Sequence, residues 1–100
     1  MLEPSFVVKY PGEIVDLDID LSPTVPEGSA ISSVSVMVVD SNDYDMTSQM
    51  ISSYSYADNK LKVVLKNGLK ERGYTLWAIV DYNDGQRIFH DLAIRVLKGP

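Results

Sequence analysis

Two acidic clusters in this sequence have residue types that suit hard cations. Asp16, Asp18 and Asp20 occupy alternate positions, and Asp40-Ser-Asn-Asp-Tyr-Asp45 packs three carboxylates into one short segment. Calcium takes about six to eight oxygens converging on one point. Alternate side chains on a straight strand lie about 7 Å apart and do not converge, so the Asp16/Asp18/Asp20 comb suits a solvated face better than an ion site. The 40–45 segment can curl, and Asp40 and Asn42 fit the start of an EF-hand loop. Tyr44 then stands at the third ligand position and no Gly follows, so the expectation is a polar turn, with no metal and no cofactor.

His90-Asp91 is the one histidine–carboxylate neighbour pair. A catalytic triad needs the carboxylate to orient the imidazole, but adjacent strand residues face opposite sides. There is no G-x-S-x-G elbow, G-x-G-x-x-G fingerprint or P-loop. Nothing suggests a cleft around Asp16 and Asp18 that would make them a glycosidase pair. Cysteine is absent, which removes thiolate nucleophiles, thiolate metal sites and disulfides and is compatible with a reducing cytoplasm. The chain is therefore expected to be a non-enzyme with no catalytic residue.

The elements that must position these side chains read as strands. Ile14–Leu21 alternates, with Val15, Leu17, Ile19 and Leu21 opposite the Asp comb. Val34, Val36 and Val38 share one face of 32–39, and Leu61, Val63 and Leu65 one face of 60–66. Tyr74, Leu76, Ala78 and Val80 share a face of 74–82, and Ile88, Leu92, Ile94 and Val96 a face of 87–97. Weaker strands are expected at 5–10 and 47–56. Pro11-Gly12, Pro23 to Gly28, Asp58-Asn59, Asn67-Gly68 and Asn83-Asp84-Gly85 punctuate them, the last as a hairpin signal. About seven antiparallel strands with frequent turns predict an all-β sandwich, with a small closed barrel as the alternative.

The chain has 100 residues, 45% of them hydrophobic. That length predicts one domain over 1–100 with a single core between two layers. No apolar run of about 18 residues occurs, and Met1-Leu-Glu-Pro lacks the pattern of a signal peptide, so neither a membrane segment nor a leader is expected. The net charge of −5 disfavours binding to nucleic-acid backbones. Its distribution is bipolar: residues 1–58 carry ten acids and one base, Lys9, whereas 59–100 carry four acids and eight bases. Part of this asymmetry is expected to resolve inside the fold, with Lys60, Lys62 and Lys66 across from the Asp comb.

Once the most apolar parity is assigned to the core, Met37, Val39, Trp77, Ile79 and Phe89 are left pointing outward from three strands. Contiguous exposed apolar surface marks a contact site, and Trp and Met are enriched at interface cores, so these five form the expected protein interface. The competing expectation is that the parity of one strand is reversed or that a loop covers the patch. Tyr44, Tyr54, Tyr56 and Tyr82, together with Trp77, offer a different reading, a carbohydrate- or cell-surface-binding module.

The stretch Asn67-Gly-Leu-Lys-Glu-Arg-Gly-Tyr-Thr-Leu-Trp-Ala-Ile-Val-Asp81 resembles the passage between the fifth and sixth strands of an immunoglobulin-like or fibronectin type III module. On that resemblance Tyr74 forms a tyrosine corner and Leu69 plugs the core, although Arg72 stands where a Pro is usual. The wider pattern runs from Lys9-Tyr-Pro-Gly-Glu13 through 34–39, Asp-Met-Thr-Ser at 45–48, Gly73-Tyr74 and Asp84-Gly85 to Leu-Ala-Ile-Arg-Val at 92–96. It resembles small immunoglobulin-like proteins encoded among bacteriophage and prophage structural genes. The resemblance implies a minor head, neck, tail or decoration component of a virion, assembled in the host cytoplasm. Its partners would be other virion proteins or further copies of itself. No site residue carries over, because the family offers no fixed one.

Overall fold

The computed structural model describes residues 5–99; the Met1-Leu-Glu-Pro4 stretch, read above as no leader, lies outside them. Seven strands are described: β1 (Phe6–Lys9), β2 (Val15–Asp20), β3 (Ile31–Asp40), β4 (Ile51–Ala57), β5 (Lys60–Leu65), β6 (Gly73–Tyr82) and β7 (Arg87–Val96). They make a four-stranded sheet in the order β1-β7-β6-β3 and a three-stranded sheet in the order β2-β5-β4. The two sheets stack as an open sandwich, not a closed barrel. Every pairing is antiparallel except that of β1, which runs parallel to β7. Alternation within a strand says nothing about the direction of its neighbour, so the sequence carried no sign of this exception.

The core follows the expected parity. Leu17 and Ile19 pair with Val63 and Leu61 within one sheet, Leu21 and Leu65 lie on the same side, and Leu76, Ala78, Val80, Leu92, Ile94 and Val96 come from the other sheet, all buried in one cluster. Burying each large aliphatic side chain stabilises the fold by about 1.5–3 kcal/mol. The β6–β7 hairpin closes through Asn83-Asp84-Gly85: Tyr82 N–H donates to Gln86 O at 2.9 Å and Gly85 sits at φ +94°. That positive φ is available to glycine without steric cost.

The structure corrects two local expectations. The 47–56 segment is not one strand. Asp45 Oδ1 accepts the Thr47 N–H at 2.9 Å, and a single helical turn α1 (Thr47–Met50) follows before β4 begins. This turn drops Met50 fully into the core. At the corner before β6, Tyr74 behaves as the resemblance implied, its hydroxyl accepting the Leu69 N–H at 3.0 Å. Leu69 does not plug the core: it is 63% exposed. Its expected place is taken by a close approach of backbone. Gly68, at φ +96°, packs so tightly that a Cβ there would lie 2.8 Å from Val96 Cγ2 and 3.3 Å from Met50 Cε.

Lys9 is an inward-facing base that sequence reasoning did not place. It is 1% exposed, and its ammonium donates to the carbonyls of Tyr10, at 2.7 Å, and Asn67. It thereby ties the end of β1 to the turn that starts the corner. Burial lowers its pKa, against a smaller opposing effect from Glu13.

Candidate protein interface

The outward side of the four-stranded sheet is built by odd-numbered residues of β3, β6 and β7 and even-numbered residues of β1. Register arranges them in rows across the sheet. Arg87, Asp81 and Ser33 form the first row; Phe89, Ile79 and Ser35 the second; Asp91, Trp77 and Met37 the third. Phe6, Ala93, Thr75 and Val39 form the fourth, and Val8, Arg95 and Gly73 the fifth. Four of the five residues expected to form an interface therefore stand in two adjacent rows. Trp77 meets Met37 side by side and Phe89 on the diagonal, where the two rings pack edge to face with centroids 6.5 Å apart. Such an arrangement suits the opposed charge of ring edge and ring face.

Exposure separates these residues. Phe89 is 58% exposed, while Met37, Trp77 and Ile79 are half-buried by one another and lie outside the core cluster. Val39 shares the face by register but is only 8% exposed. The chain returns beside it through an Asp45 bridge, so Val39 is covered by its own chain and its expected exposure is not found.

Phe6, 64% exposed, and Val8 extend the apolar surface and were missed. A strand was expected at 5–10, but only its parallel pairing with β7 reveals that Phe6 and Val8 share a face with Phe89. No local pattern encodes that pairing. Between Phe6 and the 40–41 turn, the small residues Gly73, Thr75 and Ala93 leave a shallow depression of about 460 Å³.

The charges on this face balance, with Arg87 and Arg95 against Asp81 and Asp91. Arg87 Nε donates to Asp81 Oδ1 at 2.6 Å, and Ser33 Oγ donates to Oδ2 at 3.1 Å. The Arg87 hydrogen bond holds the Asp81 carboxyl below the usual carboxylate range, with Ser33 adding to the effect. Asp91 stands on this outer face beside Trp77, whereas His90 lies on the inward side, so the two do not form an acid–base pair.

The other candidate groups are scattered. Asp40 Oδ1 accepts the Asn42 and Tyr44 N–H groups at 2.8 and 3.0 Å, making the 40–45 segment a tight self-satisfied turn. Among the described residues no group of three acids or histidines is placed to hold a metal ion. Tyr82 is buried and donates to Thr24 O at 3.0 Å, so it offers no stacking surface. Tyr54 and Tyr56 belong to the three-stranded sheet and share no platform with Trp77.

Among curated proteins, none matches the chain. Several solved structures share its architecture. One is the crystal structure of a complex of titin M10 with the obscurin-like 1 Ig domain, at 14% identity and a TM-score of 0.58, covering 95% of this chain and 88% of that one. Another is murine CRIg, at 13% identity and a TM-score of 0.59, covering 100% of this chain and 98% of that one. They establish an immunoglobulin-like sandwich and nothing about activity. A family model described as the podophage GP4 fiber-tail adaptor protein gp77 matches residues 9–95. The chain belongs to that family.

Proposed function

From membership in a fiber-tail adaptor family we propose that this chain is a non-enzymatic accessory protein of a bacteriophage or prophage virion. It folds as one domain in the host cytoplasm and is incorporated into the particle there. It works by surface complementarity, joining a tail protein to a fiber protein. Its principal docking surface is the outward face of the four-stranded sheet, with Trp77 as the anchor, flanked by Met37, Ile79 and Phe89. The observation that carries this reading is the continuity of Met37, Trp77, Ile79 and Phe89 across adjacent rows, with Phe6 and Val8 beyond them. Leaving such area in water forgoes about 25 cal/mol per Å² that a partner would recover, and buried Trp dominates interface energetics. The balanced rim charges suit a partner held by packing more than by net charge. No helix of the described residues is long and apolar enough to cross a membrane.

The test is co-expression with the tail and fiber proteins encoded beside the gene, followed by size-exclusion chromatography with light scattering. The wild type should co-elute with one of them. Trp77→Ala and Phe89→Asp should each lose that complex while keeping the far-UV spectrum and cooperative unfolding of the wild type. Retention of the complex by both variants would place the contact elsewhere.

A further inference from the structure

Among the described residues the sandwich has four strand edges, and three of them are disfavoured for a further strand by charge, shortness or partial cover. An edge strand presents unpaired N–H and C=O groups, and proteins block such edges with charge, shortness or covering segments. The β2 edge carries Asp16, Asp18 and Asp20. A second strand there would set its own charges about 5 Å from this comb. The β1 strand is only four residues long. The β3 edge is occupied at both ends: Tyr56 OH donates to Ser32 O, Thr47 Oγ1 accepts from Val38 N, Met46 N donates to Val38 O and Asp40 N to Tyr44 O, which leaves only the short stretch 33–37 between them.

The β4 edge has none of these protections. Its sequence, Ile51-Ser-Ser-Tyr-Ser-Tyr-Ala57, contains no charge and no proline. Among the described residues, no backbone group of 52–57 bonds outside the ladder with β5. No β4 residue is fully buried, and Tyr54 and Tyr56, which share the inward parity of Val63 and Leu61, are still 44% and 39% exposed. The three-stranded sheet thus ends in a neutral strand whose aromatic side is incompletely covered.

We infer that β4 pairs antiparallel with β4 of a second copy, joining two three-stranded sheets into one six-stranded sheet across a two-fold axis. The charge pattern selects this occupant. After the register shift between Ile51 and Ser53, the regular part of β4 is centred on Ser55. A two-fold axis there places Ser55 against Ser55 of the other copy and each Tyr54 against a Tyr56, a favourable aromatic cross-strand pair. The nearest like charges are the Lys62 side chains, each beside its own Ser55 on β5. Three strand spacings, about 14 Å, separate them, which exceeds the screening length of about 8 Å at physiological salt. Although the chain has a net charge of −5, a copy of itself meets no close like charge along the β4 edge. The pairing leaves both Trp77 faces free for other partners.

The experiment is light scattering over a concentration series, combined with amide hydrogen exchange, on the wild type and on Ser55→Lys, Ser55→Glu and Trp77→Ala. Ser55 is exposed, so its variants leave the core untouched. The wild type and Trp77→Ala should dimerise, and amides within 52–57 should slow in exchange as the dimer forms. Each Ser55 variant alone places like charges across the axis and should weaken association by up to about fivefold, whereas an equimolar mixture of the two should restore it. A wild type that stays monomeric throughout overturns the inference, as does a dimer indifferent to Ser55→Lys. A dimer lost only in Trp77→Ala would put the second copy on the four-stranded sheet. Protection of 52–57 appearing only when a tail or fiber protein is added would make the added strand that protein's.

Discussion

The two outward faces of this sandwich are made by the same period-2 alternation and come out chemically opposite. On the three-stranded sheet the alternation leaves Asp16, Asp18 and Asp20 in water beside Lys60 and Lys62. On the four-stranded sheet it leaves Phe89, Trp77, Ile79 and Met37. A sheet with one face on the core is expected to be polar on the other, and the first face obeys that rule. The second breaks it over adjacent rows and three strands. A rule kept on one face of a molecule and broken on the other calls for a cause local to the second face. Folding does not supply that cause, because the core is already complete without those side chains. The docking role proposed for this face would supply it.

The largest expected effect tests whether this comparison is one of faces at all. Leu76 and Trp77 are adjacent on β6 and point to opposite sides, with Leu76 fully buried. Leu76→Ala should cost about 2–5 kcal/mol of unfolding free energy through lost burial and a residual cavity. Trp77→Ala should cost about 1 kcal/mol or less, because the ring packs only against surface neighbours. Urea denaturation of both variants measures the difference. Equal losses would mean that Trp77 supports the fold and that the two faces are not functionally distinct.

What was legible in the sequence was whatever depends on nearest neighbours along the chain. The parity of β2, β3, β5, β6 and β7, the Asn83-Asp84-Gly85 hairpin and the outward placement of Met37, Trp77, Ile79 and Phe89 follow from alternation and turn chemistry. What was not legible depends on distant partners. The parallel docking of β1 added Phe6 and Val8 to the face. The return of the chain at Asp45 removed Val39 from it. Leu69 and Gly68 exchanged roles at the corner because a glycine there lets Val96 and Met50 close over the backbone. Lys9 was legible only as a charge, since its burial rests on carbonyls supplied by separate turns.

A smaller effect sharpens the description of the charged face. Register puts Asp18 opposite Lys62 and Asp20 opposite Lys60, as expected, but Asp16 falls opposite Val64 and Lys66 lies past the end of β5. A double-mutant cycle between Asp18 and Lys62 should therefore return about 0.2–1 kcal/mol of coupling, and one between Asp16 and Lys66 essentially none. The former is at the low end for exposed pairs, because the only salt bridge among the described residues is Arg87–Asp81, on the other face. Coupling of equal size in both cycles would mean that diffuse charge, and not register, organises the face.

The smallest effect separates the two faces by what holds their carboxylates. Asp81, on the apolar face, has a lowered pKa chiefly because Arg87 donates to it. Asp20, on the charged face, is also lowered, but chiefly because the Ser22 hydroxyl and backbone N–H donate to it, the latter at 2.9 Å; Lys60 contributes least. For both, the folded pKa lies below the unfolded value of about 3.9, so their contribution to stability is fully present above that value. It is lost as pH falls through the lowered folded pKa. Carboxyl titrations by NMR should show Asp81 returning toward the ordinary range in Arg87→Ala. Asp20 should stay low in Lys60→Ala and rise in Ser22→Ala. The face that looks ion-paired in sequence is then held by a local serine turn, and the apolar face contains the true ion pair. A large rise of Asp20 in Lys60→Ala would restore the lysines as the organising charges and erase that distinction.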